Sequence, residues 1–213
     1  MAKVFTLLQR KKGWGLAEFS NYWATIHKDH ALGLAKAGFF SGYVQNHLIT
    51  GLGNSIWPAA DGIPEIWVPS VDSLTDLAAS EIYQQGAGRD EENFTSGLIS
   101  SYISADCHED GLAVISSPTP GIRHLLFLQL AAQHQTEQLV DRLGKCDQGQ
   151  AFDIFQVTSA AGTGTCCMVL SGFWESIASA KRGVSEMARL LQEVPGVKPV
   201  NAGVYEARTV VNP

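Results

Sequence analysis

Two histidines stand three residues apart in the stretch YWATIHKDHALGL, which covers residues 22–34. Helical periodicity places His27 and His30 on one stripe of a predicted helix, together with the apolar residues Phe19, Trp23 and Leu34. Histidine titrates near neutral pH and is the usual general acid or base, so this stripe is a candidate for proton-transfer chemistry. The competing interpretations are a pair of metal ligands and two histidines that pack at the end of a helix.

A second group of polar side chains lies in the predicted strand GYVQNHLI, at residues 42–49. Its members are Tyr43, Gln45, Asn46 and His47. Such groups are costly to bury unless partners or a ligand satisfy them. Tyr43, Gln45 and His47 share one strand face and could polarise a carbonyl oxygen or move a proton. A hydrogen-bond network that only fixes the strand is the alternative.

The segment DGIPEIWV, at residues 61–68, adds an acidic and an aromatic side chain. Glu65 and Trp67 lie two residues apart and therefore share a strand face. Glu65 could set the tautomer of a histidine or act as a second acid/base group, whereas the alternative is a salt bridge to Arg or Lys. Trp67 would form an apolar wall, and Tyr102 on a later strand is a further candidate for that wall.

The sequence contains no recognisable metal or cofactor motif. A metal site needs three or four convergent ligands, and the two helix histidines with His47 or Glu65 match no established spacing. The cysteines at 107, 146, 166 and 167 also lack ligand spacing and are expected to be free thiols. The glycine-rich AGTGT at residues 161–165 has no Walker lysine and is predicted to be a hairpin turn. We expect neither a bound metal nor a cofactor.

The elements that would position these residues follow the same order twice. In the first half we predict strands at 4–9, 40–50, 63–68 and 98–105, with helices at 16–37 and 71–85. In the second half we predict strands at 124–130, 152–158, 166–174 and 200–207, with helices at 136–143 and 177–191. Each half is β-α-β-β-α-β, the order of a ferredoxin-like module. We therefore predict an α+β chain with modules at 1–107 and 121–213, joined by a linker at 108–120.

Helices cover only one face of such a module, so the two sheets are predicted to face one another as an intrachain α/β barrel. A ligand site combines apolar walls with a few polar groups, and we expect the polar and aromatic strand faces to line a cavity between the sheets. The expected lining residues are Tyr43, Gln45, His47, Glu65, Trp67 and Tyr102. Because helices lie on the outer face, His27 would join them only at the rim of the barrel.

Composition describes a folded protein and argues against two classes of partner. Hydrophobic residues make up 45% and charged residues 17% of the chain. The net charge of -6 disfavours nucleic acid and anionic membranes, which need a cationic surface. No apolar run approaches the about 20 residues of a membrane helix, and the N-terminal segment has the wrong order for a secretory signal. We expect a cytoplasmic protein.

These segments together resemble the EthD family of the dimeric α/β-barrel superfamily. The likeness rests on LLQRKKGWGLAEFSNYWATIH, on YVQNHLI, on DGIPEIWV and on EENF at residues 91–94, and it covers about residues 3–105. The second half matches only in element order. The resemblance implies a ferredoxin-like fold that pairs into a barrel, with His27 at the position of the family's helix histidine. Family members often carry a proline two residues further on, where this chain has Asp29.

Relatives in that superfamily include isomerases, polyketide cyclases, dehydratases and cofactor-free monooxygenases, so the resemblance implies a small-molecule ligand without choosing a reaction. The first hypothesis is an enzyme that performs cofactor-free acid/base chemistry on an apolar carbonyl or aromatic substrate, by dehydration, isomerisation or cyclisation. The alternative is a non-catalytic protein that holds a hydrophobic ligand or haem, or a haem-degrading or cofactor-free monooxygenase. Whether two copies form a homodimer is left open.

The first hypothesis assigns roles to nine residues. The candidates for catalysis are His27 first and His47 second, followed by Tyr43 and Glu65. The expected substrate-binding residues are Trp23, Gln45, Asn46, Trp67 and Tyr102. The stripe argument alone leaves His27 and His30 equivalent, and the resemblance favours His27.

Overall fold

The fold is taken from a computed structural model of the chain, which describes residues 1–52, 57–104, 121–131, 137–139, 141–142, 152–161 and 168–213. The strands of the first half are β1 (Ala2–Arg10), β2 (Gly42–Leu48), β3 (Gly62–Val68) and β4 (Thr95–Ser104). Its helices are α1 (Leu16–Tyr22), α2 (Lys28–Lys36), α3 (Ser73–Ala79) and α4 (Gly88–Phe94). Two π-helical turns interrupt them, at Trp23–His27 between α1 and α2 and at Tyr83–Ala87 before α4.

The second half follows the order of the first, with one additional strand. Its strands are β5 (Gly121–Leu130), β6 (Phe152–Gln156), β7 (Thr158–Ala161), β8 (Met168–Trp174) and β9 (Val197–Val211). Helix α5 (Ile177–Gln192) precedes β9, and residues 137–139 and 141–142 are also helical. The predicted α+β class is confirmed, and the order of elements differs from the prediction by the additional strand β7, which pairs with β4.

The main difference from the predicted elements lies before β4. We predicted one helix at residues 71–85, but α3 ends at Ala79 before the extended Ser80, and a second helical stretch passes through Gly86 and continues to Phe94. Gly86 itself has non-helical backbone angles, with φ of -104° and ψ of -105°, and therefore marks a kink and not an end. The predicted linker, the four cysteines and most of AGTGT lie outside the described residues, and the division into two modules stays a prediction.

The nine described strands form one antiparallel sheet in the order β6-β8-β5-β9-β2-β3-β1-β4-β7. The two halves join where β9 pairs with β2, and β7 of the second half pairs with β4 of the first. The strands at the two ends of the order, β6 and β7, are separated in the chain only by Val157. The chain therefore passes directly from one end of the strand order to the other, and barrel closure itself stays a prediction.

One face of the sheet forms a core between the two halves. The buried side chains of this core come mainly from strands of both halves and include Phe5, Leu7, Ile63, Tyr102, Leu125, Phe127, Val169 and Tyr205. No helical residue belongs to this cluster. We call this face the interior face, and the opposite face, on which α1–α5 pack, the helix face. Separate apolar clusters lie beneath the helices of each half.

A buried ion cluster links the two halves across the interior face. Glu65 is fully buried, and its carboxylate lies 2.6 Å from the Lys3 ammonium and 2.5 Å from the Arg123 guanidinium. The Asn46 carboxamide also donates to Glu65 at 2.8 Å. Burial opposes ionisation of Glu65, but Arg123 and Lys3 outweigh it and hold the pKa of this carboxyl below its usual value. Because Arg123 belongs to β5, the cluster ties the second half to the first.

Replacing Glu65 with Ala is expected to lower the free energy of unfolding by about 3–5 kcal/mol, because it leaves two buried cations without a partner. Urea unfolding followed by circular dichroism measures this loss. The matched control is Glu206→Ala, which removes the exposed pair with Arg208 and should cost less than about 1 kcal/mol. Equal losses in the two variants would contradict the role given to the cluster.

Candidate functional site

Three polar side chains of strand β2, those of Tyr43, Gln45 and His47, point toward the helices, which is the reverse of the predicted orientation. The Trp23 indole donates to the Tyr43 hydroxyl at 2.9 Å, and the Gln45 amide donates to the Trp23 carbonyl at 2.9 Å. Asn46, one residue from Gln45, instead reaches Glu65 on the interior face. Because neighbouring strand residues point to opposite faces, this contact fixes Tyr43, Gln45 and His47 on the helix face. The expectation that these three face the interior is therefore wrong.

The remaining predicted lining residues, Glu65, Trp67 and Tyr102, do lie on the interior face, but their surroundings are packed. The Lys3 ammonium lies 4.3 Å from the Trp67 ring, and Tyr102 packs against Phe127 at 5.2 Å between ring centroids. Glu65 contacts Lys3, Arg123 and Asn46, so the expectation that it orients a histidine is wrong. The salt-bridge alternative stated for Glu65 is the observed arrangement.

A cavity of about 290 Å³ lies between the helix face of the first half and its covering helices. Its walls are mostly apolar, and they include Val4, Leu8, Ala31, Leu34, Phe40, Ile66, Leu74, Leu77 and Phe94. The titratable side chains on its wall are His27, Tyr43, Tyr83 and Glu91. A few polar groups among apolar walls are typical of small-molecule sites, and the volume matches the lower end of their range, about 300 Å³.

His27 is held in one orientation by Asp90. The imidazole Nδ1 lies 2.9 Å from the Asp90 carboxylate, and both residues are buried. The same carboxylate accepts hydrogen bonds from the Tyr22 hydroxyl at 2.7 Å and from the Asn93 amide at 3.1 Å. Burial raises the pKa of Asp90, but these hydrogen bonds and the one from His27 outweigh burial and lower it. Asp90 is therefore ionised at neutral pH.

The pairing fixes the tautomer of His27. An ionised carboxylate only accepts hydrogen bonds, so Nδ1 carries the proton and Nε2 carries the lone pair. Burial lowers the pKa of His27 below its usual value, although Asp90 acts in the opposite direction. His27 is thus a neutral base on the cavity wall. Among the described residues, none contacts its Nε2 atom by a hydrogen bond.

Close packing of the first π-helical turn places Trp23 beside His27 on the cavity wall. The Trp23 ring lies against the backbone of Gly62 in β3, where an added Cβ would come within 2.5 Å of the indole. Only glycine leaves this space, so β3 can accept the indole at that point. Single π-helical turns are rare and are frequent at functional sites.

Tyr43 presents a hydrogen-bond donor to the cavity. Its hydroxyl oxygen accepts from the Trp23 indole at 2.9 Å and from the Gln45 amide at 3.0 Å. Burial raises the pKa of Tyr43 well above its usual value, so the hydroxyl keeps its proton. Since both contacts are accepted, that proton remains available for a ligand oxygen.

Glu91 and Tyr83 lie on the helical side of the same cavity. The Tyr83 hydroxyl donates to the Glu91 carboxyl, with oxygen separations of 3.3 and 3.5 Å. Burial raises the pKa of Glu91 to about 7, with a further contribution from the adjacent Asp90 charge. Glu91 therefore exchanges a proton near neutral pH.

Other predicted site residues lie outside the cavity wall. The His47 ring packs behind Trp23, with Nδ1 2.8 Å from the Ser20 hydroxyl and Nε2 3.2 Å from the Gln45 carboxamide oxygen. Burial, and the charge of Arg208, lower the pKa of His47 to about 3. Both of its ring nitrogens are engaged, so we do not assign His47 a proton-transfer role. Gln45 also lies outside the cavity wall, and its amide donates a hydrogen bond to the Tyr43 hydroxyl at 3.0 Å.

Three residues of the site were missed by the sequence prediction, namely Tyr83, Asp90 and Glu91. The predicted helix ended at residue 85, which left the last two without an element. A usable signal existed, because Asp90, Glu91 and Phe94 are spaced by three and four residues after the glycine pair, as on one helix face.

Two kinds of feature are absent from the described part of the chain. Within the described ranges, no cluster of three or more His, Cys, Asp or Glu side chains could hold a metal ion. No helix in this part of the chain is both long and apolar enough to cross a membrane.

Replacing Glu91 with Gln is expected to change how stability depends on pH. The folded-state pKa of about 7 lies above the ordinary value of 4.5, so the folded protein holds this proton longer than the unfolded chain does. The contribution of Glu91 to stability is therefore greatest below pH 4.5 and is lost as pH rises through 7, by at most about 3.5 kcal/mol at about 1.4 kcal/mol per pKa unit. Thermal or urea unfolding of wild type and Glu91→Gln across this range measures the difference.

The exposed neighbour Glu92 provides the matched control for this measurement. Glu92→Gln should follow the wild-type profile, whereas Glu91→Gln should lose the decrease between pH 4.5 and 7. A Glu91→Gln profile parallel to wild type would show that Glu91 ionises in the folded protein as it does in the unfolded chain.

Comparison with known proteins shows a similarity of part of the chain to one family and a shared fold. Residues 11–97 match the EthD domain model. Among solved structures, an anthrone oxidase-like protein superposes with a TM-score of 0.57 at 12% identity, covering 98% of this chain and 93% of its own. A dye-decolorizing peroxidase from Bacteroides thetaiotaomicron superposes with a TM-score of 0.57 at 6% identity, and the alignment covers 98% of this chain and 93% of the peroxidase chain. A haem-binding protein from Thermus thermophilus superposes with a TM-score of 0.52 at 13% identity, and the alignment covers 97% of this chain and 90% of that protein's chain.

No curated protein matches the sequence. At these identities the structural likeness shows a shared fold, and fold alone does not select an activity. The EthD match runs from just after β1 to the start of β4. It includes every residue on the wall of the cavity except Val4, Thr6 and Leu8 of β1 and Ser101 of β4. Residues 11–97 of this chain are similar to EthD domains, and the chain shares a ferredoxin-like α+β fold with the matched structures.

Proposed function

We propose that the protein is a small-molecule enzyme that performs cofactor-free acid/base chemistry in the cavity of its EthD domain. The observation that carries the proposal is the His27–Asp90 pair on the wall of an otherwise apolar cavity. A neutral histidine that is oriented by a buried carboxylate is the arrangement of a general base. The base is His27 Nε2, and Asp90 fixes the tautomer that makes this atom basic.

The substrate class follows from the remaining groups on the wall. Apolar side chains and the Trp23 and Phe94 rings suit an apolar or aromatic skeleton of two or three rings. The Tyr43 hydroxyl suits a carbonyl oxygen, because its proton is free to donate. A carbonyl that accepts this hydrogen bond makes the neighbouring C–H more acidic, since negative charge develops on the oxygen when the proton leaves.

The proposed first step is proton abstraction next to that carbonyl. The C–H bond breaks, the proton moves to His27 Nε2, and the electron pair forms the double bond of an enolate whose oxygen is bound by Tyr43. Burial keeps His27 unprotonated before the step, and Asp90 stabilises the imidazolium that forms. Dehydration, isomerisation and cyclisation can all begin in this way.

A non-catalytic ligand carrier, including a haem carrier, is the second candidate. It is favoured by the carboxylate–histidine pair, which also orients metal-binding histidines. The lining residues fit haem poorly, however. No Lys or Arg is among the described residues on the cavity wall, where propionate groups would need cations, and the carboxyl of Glu91 is present instead. Within this candidate, a neutral apolar ligand suits the cavity better than haem does.

Replacing His27 with Ala tests the proposed first step with 1-tetralone, a two-ring aromatic ketone with exchangeable protons at C2. Wild-type protein is expected to accelerate exchange of these protons with D₂O, followed by NMR. His27→Ala should lower the catalysed rate by about 100- to 10,000-fold, the usual contribution of a general base. Asp90→Asn should lower it toward the His27→Ala value, because an amide that donates to Nδ1 favours the inactive tautomer.

His30→Gln provides the matched control, because His30 lies on the same helical stripe but not on the cavity wall. It should exchange 1-tetralone at the wild-type rate. Equal rates for wild type and His27→Ala would refute the proposed base and leave a binding role for the cavity.

Titration with haem separates the two candidates in a further measurement. We expect no Soret shift that depends on His27, because the described wall lacks cations for the propionates. A Soret band that forms with wild type and disappears in His27→Ala would favour haem binding and contradict the assignment of His27 as a base.

A further inference from the structure

The carboxyl group of Glu91 has no cationic partner in the described part of the chain, although it lies on the cavity wall. Its side-chain contacts are the two long hydrogen bonds from the Tyr83 hydroxyl. The buried carboxylate of Glu65, in contrast, lies against two cations. A carboxyl group in an apolar cavity is costly to ionise without such a partner, and burial therefore raises the pKa of Glu91 to about 7.

Among the described residues that face Glu91, none carries a positive charge at neutral pH. Tyr83 lies on the second π-helical turn, and Tyr43 on β2 interacts electrostatically with Glu91 across the cavity. The adjacent Asp90 is ionised and raises the pKa of Glu91, while His27 on the first π-helical turn is neutral. The cavity wall thus carries a neutral base in His27, a phenol in Tyr43 that can donate to a ligand, and a carboxyl in Glu91 that can give up a proton.

We propose that Glu91 is the general acid of a dehydration, protonating a hydroxyl group of the substrate while His27 removes a proton from the adjacent carbon. The proposal rests on the proposed function and deepens it, because it selects one reaction from the three that share the first step. Isomerisation and cyclisation do not require a leaving hydroxyl. The substrate class is therefore a small, apolar β-hydroxy ketone.

The bonds and protons balance without an oxidant or a cofactor. The C–H bond next to the carbonyl breaks and its proton moves to His27 Nε2. Its electron pair forms the new C=C bond, the C–O bond to the hydroxyl breaks, and that hydroxyl takes the Glu91 proton and leaves as water. Tyr43 holds the carbonyl oxygen throughout. Afterwards the His27 imidazolium loses a proton to solvent and the Glu91 carboxylate regains one.

Tyr83 is a positioning residue in this scheme, because it touches Glu91 and not the reacting atoms. Its hydroxyl donates to the carboxyl oxygens, which directs the acidic proton away from Tyr83 and toward the cavity. A hydrogen bond from Tyr83 also stabilises the carboxylate that remains after the proton is transferred.

The test compares two probes that differ by a single hydroxyl group. Both 1-tetralone and 3-hydroxy-1-tetralone carry the proton at C2, but only the second can lose water, giving 1-naphthol, which is followed by fluorescence. Wild type should exchange the first probe and dehydrate the second. Glu91→Gln, whose amide cannot supply a proton, should lose dehydration by about 100-fold or more, and it should lose much less of the exchange.

The pH profiles give a readout that a purely structural role would not change. Wild-type dehydration should decline above about pH 7 as Glu91 ionises, whereas exchange of 1-tetralone should not decline. Tyr83→Phe should move that decline to a higher pH, because the hydrogen bond from Tyr83 lowers the pKa of Glu91. Glu92→Gln is the matched control and should behave as wild type with both probes.

The outcomes separate the two proposals. Loss of both reactions in His27→Ala together with selective loss of dehydration in Glu91→Gln supports both. Exchange without dehydration in wild type, or dehydration that survives in Glu91→Gln, overturns the role of Glu91 and leaves the base intact. Absence of exchange in wild type, or exchange unaffected by His27→Ala, overturns the proposed function and with it the dehydration.

Discussion

The hydrogen bond from Asn46 to Glu65 determines which way strand β2 faces, and the site depends on that orientation. The carboxylate of Glu65 must remain surrounded by donors because it is buried between the two halves. Asn46 provides one of these donors from the interior face, so strand alternation places Tyr43 and Gln45 beneath the helices. A change in the register of β2 by one residue would remove the Asn46 amide from Glu65 and turn Tyr43 away from His27.

The two faces of the same sheet therefore perform different tasks. The interior face joins the halves through aromatic packing and the buried cluster of Lys3, Glu65 and Arg123. The helix face of the first half leaves a cavity whose polar groups all come with defined hydrogen-bond partners. Asp90 orients His27, Trp23 and Gln45 orient Tyr43, and Tyr83 contacts Glu91. Acid/base chemistry in an apolar cavity needs this kind of fixed orientation, because a misaligned donor or base loses most of its effect.

Much of the fold could be predicted from sequence, since the order of elements follows from periodicity and turn residues. His27 could be singled out through its place in the EthD-like pattern, and Trp23 and Tyr43 do lie with it on the cavity wall. The orientation of β2 could not be predicted, because both of its faces carry polar side chains and alternation alone does not say which face is covered. The partner that decides it, Glu65, lies on another strand, and its cation Arg123 lies in the other half.

Asp90 and Glu91 were missed for a different physical reason. Glycines 86 and 88 predict a helix end, but here a π-helical turn absorbs the kink and the helix continues to Phe94. Sequence spacing also gave no indication that Asp90 would approach a histidine 63 positions earlier in the chain.

The central claim is that His27 is a neutral base whose lone pair lies on Nε2. The most direct measurement is ¹⁵N NMR of the imidazole nitrogens from about pH 5 to about pH 8, the range in which an ordinary histidine titrates, with assignment of the His27 signals by the His27→Ala variant. The structure predicts a neutral ring at neutral pH with the proton on Nδ1 and an unprotonated Nε2, and a pKa below the ordinary histidine value. A ring that is protonated at neutral pH, or one with its single proton on Nε2, would contradict the account.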